Sequence, residues 1–579
     1  MANFMGQYLD WCDQFNPKGE YLVYGERRCT WHELNLRVNR LASGLLDQGI
    51  QPGDKVILMF HNCPEFFETN YAIQRIGAIP VPMNYRFTGR EIAYQTNHCE
   101  AVAYIFEDIW LKQVLAAQPE LSTVKHFIVR GKKQKGMLSY ENIMNRYSAN
   151  APQIDTTPDD TAVICYTGGT TGLPKGVMLT YQNHISLLNS MVTGVLPSLS
   201  TISLPEEFRE SIDLPNWLLN AIESKFTKTL LASKALQKGL GWAAKKLIGS
   251  KLSIRLAARH SMKIMMPSFP LFHDAAYQLC ITGPITGNQT LICPTDISFN
   301  PEQVLALVER EKPQLLGNVP TGWKMLLKHP KIGQYDLSSV KVAATGAGVA
   351  PASLKQKIFD QLPGVVIADV FGQTEMTPAT TMRLDLSPAT LKDRCIGKPF
   401  VETRIVDDNN NPLPAGEIGE IIYRSGSVMK GYYNEPDKTA EAIQQGWLHS
   451  GDLGYFDEDG DLIIKERKKE CISSGGEKIF PHEVEEVILE HDKVKDVCVI
   501  GVADETWGQT IRAVILCDEN NTLSEKDIIN WCTDKVAGYK KPRSVIFVHD
   551  FPVTAVGKVQ RGKIRELYGK ATEAQESAT

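Results

Sequence analysis

The segment Tyr166-Thr-Gly-Gly-Thr-Thr-Gly-Leu-Pro-Lys-Gly176 directly follows a short apolar run at 161–165. Four glycines, three threonines and a lysine fall within these eleven residues. Glycine lets successive backbone N–H groups crowd an anion, threonine hydroxyls add donors, and Lys175 adds positive charge. A lone Gly-Gly pair would read as a plain turn, but this density reads as a phosphate loop at the end of a strand. It is not a Walker A loop, because Leu173 and Pro174 separate Gly172 from Lys175 and no Ser or Thr follows the lysine. Thr167, Gly168, Gly169, Thr170, Thr171, Gly172 and Lys175 are therefore candidate phosphate contacts.

On both sides of this segment, apolar runs alternate with helical patterns. Runs at 55–60, 79–83 and 101–106 are separated by helical patterns at 64–76 and 91–99. Downstream, 161–166 reads as a strand, 181–195 as a helix, 290–293 as a strand and 301–312 as a helix. Short continuous apolar runs between helices are what parallel strands buried on both faces produce, so the expected class is α/β. From 402 to 465 the rhythm changes to strands and hairpins. Runs at 403–406, 417–423, 455–456 and 462–464 are punctuated by Asp407-Asp-Asn-Asn-Asn411 and Asp457-Glu-Asp-Gly460, which predicts an antiparallel β subdomain. The charged stretch Lys465-Glu-Arg-Lys-Lys-Glu470 is the expected boundary between a large domain, 1–466, and a small α+β domain, 467–579.

Composition narrows the function classes. Of 579 residues, 43% are hydrophobic and 22% charged, which excludes disorder, collagen and coiled coil as the main architecture. With 62 basic against 67 acidic residues, no global positive field argues for nucleic acid. The twelve cysteines form neither a C-x-x-C pair nor a zinc-spaced cluster, so reduced core thiols of a cytoplasmic protein are expected. The first residues lack a basic, apolar leader pattern, and no uncharged apolar run reaches the ~18–20 residues a spanning helix needs.

One segment departs from this blandness. Residues 198–262 read as an insertion, and Lys225, Lys228, Lys234, Lys238, Lys245, Lys246, Lys251, Arg255, Arg259 and Lys263 follow Glu223 without another acid. Leu236, Leu240, Ala243 or Ala244, and Leu247 interleave at helical spacing. Such a helix can lie on an anionic membrane, giving peripheral contact through 225–263, or pack as a solvated surface hairpin with its apolar face on the body. Gly239 and Gly241 are expected to interrupt it.

Further motifs carry chemistry. In Asp369-Val-Phe-Gly-Gln-Thr-Glu375, Phe371 offers a face to a purine, Thr374 a hydroxyl to a phosphate, and Glu375 a hard oxygen ligand for Mg²⁺. Asp452, in His449-Ser-Gly-Asp452, is a carboxylate able to accept two hydrogen bonds at once. Pro552-Val-Thr-Ala-Val-Gly-Lys558, Ser473-Ser-Gly-Gly-Glu477 and Phe269-Pro-Leu-Phe-His-Asp274 complete the series.

In this order, across roughly 21–567, these motifs resemble those of the acyl-adenylate-forming superfamily, which comprises acyl-CoA synthetases, adenylation domains and beetle luciferases. The chain looks most like fatty acyl-CoA synthetases. The resemblance implies a mobile small domain, ATP and CoA as co-substrates, and Mg²⁺. It further implies that Asp369, Phe371 and Gly372, with Gly346, Ala347 and Gly348, surround adenine. Asp452 and Arg467 would then meet the ribose and phosphate, with Lys468 or Lys469 at the hinge. Thr374, Glu375 and Lys558 would be catalytic, His273 would border the acyl pocket, and Ser474, Gly475 and Gly476 would line the CoA channel. The motif at the hinge departs from the family's Gly-Arg-x-x-Asp, since Glu466 and Glu470 replace its glycine and aspartate. The expected function is an acid:CoA ligase acting on a medium- or long-chain fatty acid. An aryl acid substrate, a carrier-protein acceptor, or a non-catalytic nucleotide-binding scaffold are the alternatives.

Overall fold

Val56, Ile57, Leu58 and Met59 are all buried, as is every residue of Ala103–Glu107. Strands shielded on both faces need parallel neighbours and covering helices. The computed structural model of the chain has both. It describes residues 4–167, 174–198, 224–258, 261–474, 477–517, 522–533, 535–554 and 559–569. Gly168, Gly169, Thr170, Thr171, Gly172, Gly475, Gly476 and Lys558 lie outside the described residues, as do 199–223, 259 and 260 of the basic insertion.

The described residues fall into two compact units. The first holds those up to Thr167, Pro174–Thr403 and Tyr423–Leu448; the second holds Arg404–Ile422 and those from His449 onward. In the first unit, five parallel strands are ordered Ile79–Pro82, Lys55–Met59, Ala103–Glu107, His126–Arg130, Leu138–Ser139. An eight-stranded sheet runs Thr381–Asp385, Val366–Phe371, Val342–Gly346, Leu315–Asn318, Met262–Met265, Gln289–Cys293, Glu20–Tyr24, Arg27–Thr30. Its six inner strands are parallel and both edges antiparallel. Each sheet has its own core, one around Trp323, Leu316 and Ile367, the other around Tyr104, Phe106 and Val129. A third, antiparallel sheet joins Gly431–Tyr432, Lys175–Thr180 and Thr161–Thr167, and in it Thr167 pairs directly with Lys175.

The second unit carries Leu462–Arg467 paired with the part of strand Trp447–Phe456 from Asp452 on, followed by the hairpin Ile472–Ser474 with Glu477–Ile479. Asp496–Asp504 and Gly508–Leu516 are antiparallel, and Ser544–Val548 lies parallel to the latter. Helices Pro481–Leu489, Glu525–Trp531 and Arg561–Tyr568 complete it. The twelve cysteines are all free, eleven of them buried and Cys471 half-buried.

Two local expectations change. The basic helix is not interrupted, because Lys234–Leu247 runs through both glycines. A Cβ at Gly241 would stand 3.2 Å from Thr193 Cγ2, so that glycine permits close packing on Tyr181–Ser198 rather than ending the helix. Second, the short strand expected at 455–456 is the end of a ten-residue strand, Trp447–Phe456, which absorbs the His449-Ser-Gly-Asp452 motif. Pairing with Leu462–Arg467 carries that partner strand into the charged stretch.

Candidate active site

Lys175 leaves the glycine- and threonine-rich segment at the first position of Lys175–Thr180, whose Val177 and Met178 pair with Tyr432 and Gly431. This register sets the Lys175 ammonium 4.6 Å from the centroid of the Tyr432 ring, within cation–π range. The Tyr432 hydroxyl donates to Glu375 Oε1 at 2.9 Å. Burial, reinforced by the Glu375 charge, pushes that phenol well above its ordinary value, so it stays protonated as a donor. A lysine, a tyrosine and a carboxylate from three distant segments thus converge.

The segment containing Glu375 is tightly held. Gly372 faces Pro378 O and Ala379 Cα so closely that a Cβ would stand 2.2 and 2.7 Å from them. Thr374–Met376 is a short 3-10 turn, and Thr377 at φ +61° donates its hydroxyl to Ser427 O at 2.6 Å. Met429 N donates to Glu375 O at 2.9 Å. Strain of this kind persists only where surroundings over-determine it, and such places cluster at functional sites. The neighbouring Gly346-Ala-Gly348 follows the same pattern: Ala347 has φ +59°, and a Cβ at Gly346 would meet Val370 O at 2.7 Å. Phe371 ends its strand half-buried.

Asp369 sits differently from a simple ligand contact. Its Oδ2 is 2.7 Å from Lys355 Nζ, which also reaches Asp385 at 3.2 Å, and Arg383 Nε meets Asp385 at 2.8 Å. Burial raises the Asp369 pKa against the opposing pull of Lys355. The carboxylate therefore anchors the strand end that carries Phe371.

His273 is half-buried and caps helix Asp274–Thr286, its Nδ1 accepting from Ala275 N at 3.4 Å. The next residue is more telling. Asp274 is 2% exposed and, among the described residues, neither carboxyl oxygen has a hydrogen-bond partner. Burial first, then the charge of Glu375, push its pKa well up, so it is held neutral. One turn on, Gln278 Oε1 lies 2.6 Å from Nδ1 of His184, whose pKa burial lowers to about 4.

In the second unit, Asp452 pairs with Arg467 across the ladder, and Arg467 Nε lies 2.7 Å from Asp452 Oδ1. Lys468 Nζ lies 2.9 Å from Asp408 and 3.1 Å from Glu420, while its backbone N–H donates to Gly451 O at 2.8 Å. Lys469 directly follows. Ser474 pairs with Glu477 in the hairpin around 475 and 476. Tyr432, Lys355 and Asp385 were missed in the sequence. No local pattern marks them, because each acquires its role through strand pairing or ion pairing across long separations.

Two places offer metal donors. Glu375 presents one oxygen to Tyr432, and one carboxylate plus substrate phosphates is the donor set Mg²⁺ commonly takes. His61, Cys63 and Glu107 form the second group, with donor atoms within 4.8 Å of one another. There the imidazole is already engaged, with Tyr24 and Glu107 each at 2.7 Å, and burial pushes the Cys63 thiol well up. That group is a hydrogen-bonded structural chain.

A glycine- and threonine-rich loop, a hard carboxylate tied to its lysine through one tyrosine, and two largely parallel sheets define an adenylate-forming enzyme. The chain belongs to the AMP-binding enzyme family: residues 9–203 and 238–433 match that family's model, and 483–558 match the AMP-binding enzyme C-terminal domain. It is 29% identical over 560 residues to a feruloyl-CoA synthase from Amycolatopsis sp, covering 96% of this chain and 97% of the relative. It is equally 29% identical over 584 residues to a long-chain-fatty-acid–CoA ligase from Bacillus subtilis (strain 168), covering 96% and 92%. Its fold is that of an anthranilate CoA ligase, AuaEII, solved with anthranoyl-AMP, at TM-score 0.78 and 24% identity over 98% of both chains. The gap between the two stretches of the first match, 204–237, falls within the insertion.

Proposed function

We propose that this chain is an ATP- and Mg²⁺-dependent acid:CoA ligase. A carboxylate oxygen of the acid attacks the α-phosphorus of ATP, the α–β anhydride bond breaks, and pyrophosphate leaves acyl-AMP. The sulfur of CoA then adds to the acyl carbon, its proton is lost, and AMP departs with the former acyl–phosphate oxygen. Two anions must approach in the first step, so catalysis is mostly positioning and charge stabilisation. Lys175, with Thr167, Gly168, Gly169, Thr170, Thr171 and Gly172, binds the phosphates, and Lys558 places a cation at the attack. Mg²⁺ held by Glu375 with Thr374 neutralises phosphate charge when bound. Phe371, Gly372, Asp369 and Gly346, Ala347 and Gly348 hold the adenine, and Asp452 with Arg467 holds the ribose. Ser474, Gly475 and Gly476 line the approach of CoA, and Lys468 or Lys469 is the pivot between 1–466 and 467–579.

The observation that carries this reading is the convergence of Lys175, Tyr432 and Glu375, which presents a phosphate-loop cation and a metal-capable carboxylate through one tyrosine. For the acid, we favour a medium- or long-chain fatty acid. Support comes from the Phe272-His273 pair, which resembles that of acyl-CoA synthetases, and from the basic amphipathic insertion. The second reading is an aryl acid, favoured by the feruloyl-CoA synthase being as similar as the fatty-acid ligase. A panel of acids assayed for pyrophosphate release and thioester formation tests both. Turnover of C8–C16 acids supports the first; turnover of cinnamate or benzoate acids alone supports the second. Accumulation of acyl-AMP that CoA never discharges would point to a carrier-protein acceptor.

A further inference from the structure

The insertion presents three described helices, Lys225–Ala232, Lys234–Leu247 and Lys251–Ala257. Between 224 and 258 there is no aspartate or glutamate. The central helix keeps Leu236 half-buried, and Leu236, Leu240 and Leu247 lie on the side opposite Lys238 and Trp242. It rests on Tyr181–Ser198 through buried Gly241, while Leu240 and Leu247, one heptad apart, stay 37% and 47% exposed. Its outward face carries Lys238, Trp242, Lys245 and Lys246, which share one side at i, i+4, i+7 and i+8. Trp242 is 67% exposed. The third helix repeats the pattern: Lys251 with Arg255 and Leu252 with Leu256 are exposed pairs four apart. Trp242, Leu252 and Leu256 are thus exposed on helices whose charged residues are all cations. An amphipathic tryptophan flanked by lysines is the arrangement that settles at a lipid headgroup boundary.

We infer that this face docks onto an anionic lipid bilayer surface, with the lysines meeting headgroup phosphates and Trp242, Leu252 and Leu256 entering the headgroup–acyl boundary. The inference is independent of which acid the protein activates. The face is also coupled to the candidate acyl region. Ile254 is wholly buried and packs on Gly287, where a Cβ would stand 2.8 Å from Ile254 Cγ2. Gly287 ends the helix that starts at Asp274, so docking surface and acyl-proximal residue are the two ends of one rod about 20 Å long.

The test is co-sedimentation of the full chain with vesicles, without ATP, acid or CoA. One set is phosphatidylcholine and the other contains about a third phosphatidylserine. Binding is expected to the anionic vesicles only and to fall as salt rises from 0.15 to 0.5 M, in the sense of charge screening. Each basic residue near such a surface is worth roughly a fivefold change in affinity, so Lys238→Gln/Lys245→Gln/Lys246→Gln is expected to weaken binding about a hundredfold. Trp242→Ala is expected to weaken it with the charges intact. Both variants should keep the parent's circular-dichroism spectrum and thermal midpoint, which reports an intact fold. No binding by the parent, equal binding to neutral vesicles, or unchanged binding by both variants would overturn the inference. A change in oligomeric state with Trp242→Ala would instead assign the face to a second copy.

Discussion

At Gly372 a side chain has no room, since the atoms it would strike are backbone, Pro378 O at 2.2 Å and Ala379 Cα at 2.7 Å. Backbone cannot rotate aside, so Gly372→Ala is expected to cost about 1–3 kcal/mol and to shift the Thr374–Glu375 turn. ATP–pyrophosphate exchange should fall at least ~10-fold, the scale on which small misplacements act. Gly333→Ala is the control, because nothing lies within 4 Å of the added Cβ and the thermal midpoint should barely move. Asp274 carries a different liability. Its folded pKa is raised, so the native state retains a proton that the unfolded chain releases near its ordinary value of about 3.9. Stability is therefore lost as pH climbs through the interval between the two values. Asp274→Asn is expected to raise the urea midpoint at pH 7, and the gain should vanish below about pH 4. A gain of equal size at low pH would show that packing, not ionisation, was responsible.

At the scale of the element, the strand Leu462–Arg467 shows how charged residues can be interior. Its pattern alternates, and Glu466, 8% exposed, turns inward. Burial alone would raise its pKa, but the nearby His482 and Arg561, together with the Arg467 N–H, bring it down to about 2. For a depressed carboxylate the stabilisation is present above the unfolded value and lost as pH falls through the folded one. A tenfold change in proton affinity corresponds to ~1.4 kcal/mol, so Glu466→Gln should cost about 3 kcal/mol at pH 7, with the difference fading between about pH 4.5 and 2. Urea titrations of both forms across that window check this. The stretch Lys465–Glu470 looked in sequence like an exposed boundary run, because charge there carries no sign of whom it faces. Arg561, which meets Glu470 at 3.3 Å and also bonds Glu485 and Val499 O, supplies the answer from 91 residues away. Helix Lys234–Leu247 taught the converse lesson: a glycine read as a breaker serves as a packing contact once Thr193 is its neighbour.

For the whole molecule, the proposed function divides into two half-reactions that need different groups. Lys558→Ala is expected to lower pyrophosphate release at least ~100-fold while sparing thioester formation from preformed acyl-AMP, since only the first step brings two anions together. Rapid-quench measurement of each step separately checks it, and equal loss of both would remove Lys558 from its assigned role. In sequence the division is what the resemblance implies, because the motifs that carry it occur in the family's order along one chain. Residue type makes the proposed roles chemically apt: glycines admit backbone, a carboxylate can bind hard cations, and lysines carry charge.

What the sequence by itself determined is local: the α/β class, the glycine- and threonine-rich segment between Thr167 and Gly176, and the Thr374-Glu375 pair. Only the tertiary structure decided the partners. Tyr432 reaches both Lys175 and Glu375 because a two-residue strand pairs across some 250 positions, and Lys355 claims Asp369 from a helix. It also decided that Leu240 and Trp242 face outward while a glycine faces in. The physical reason is the range of the forces. Backbone preference and chemical type act within a few residues, whereas strand register, ion pairing and burial depend on which distant segments the folded chain brings into contact.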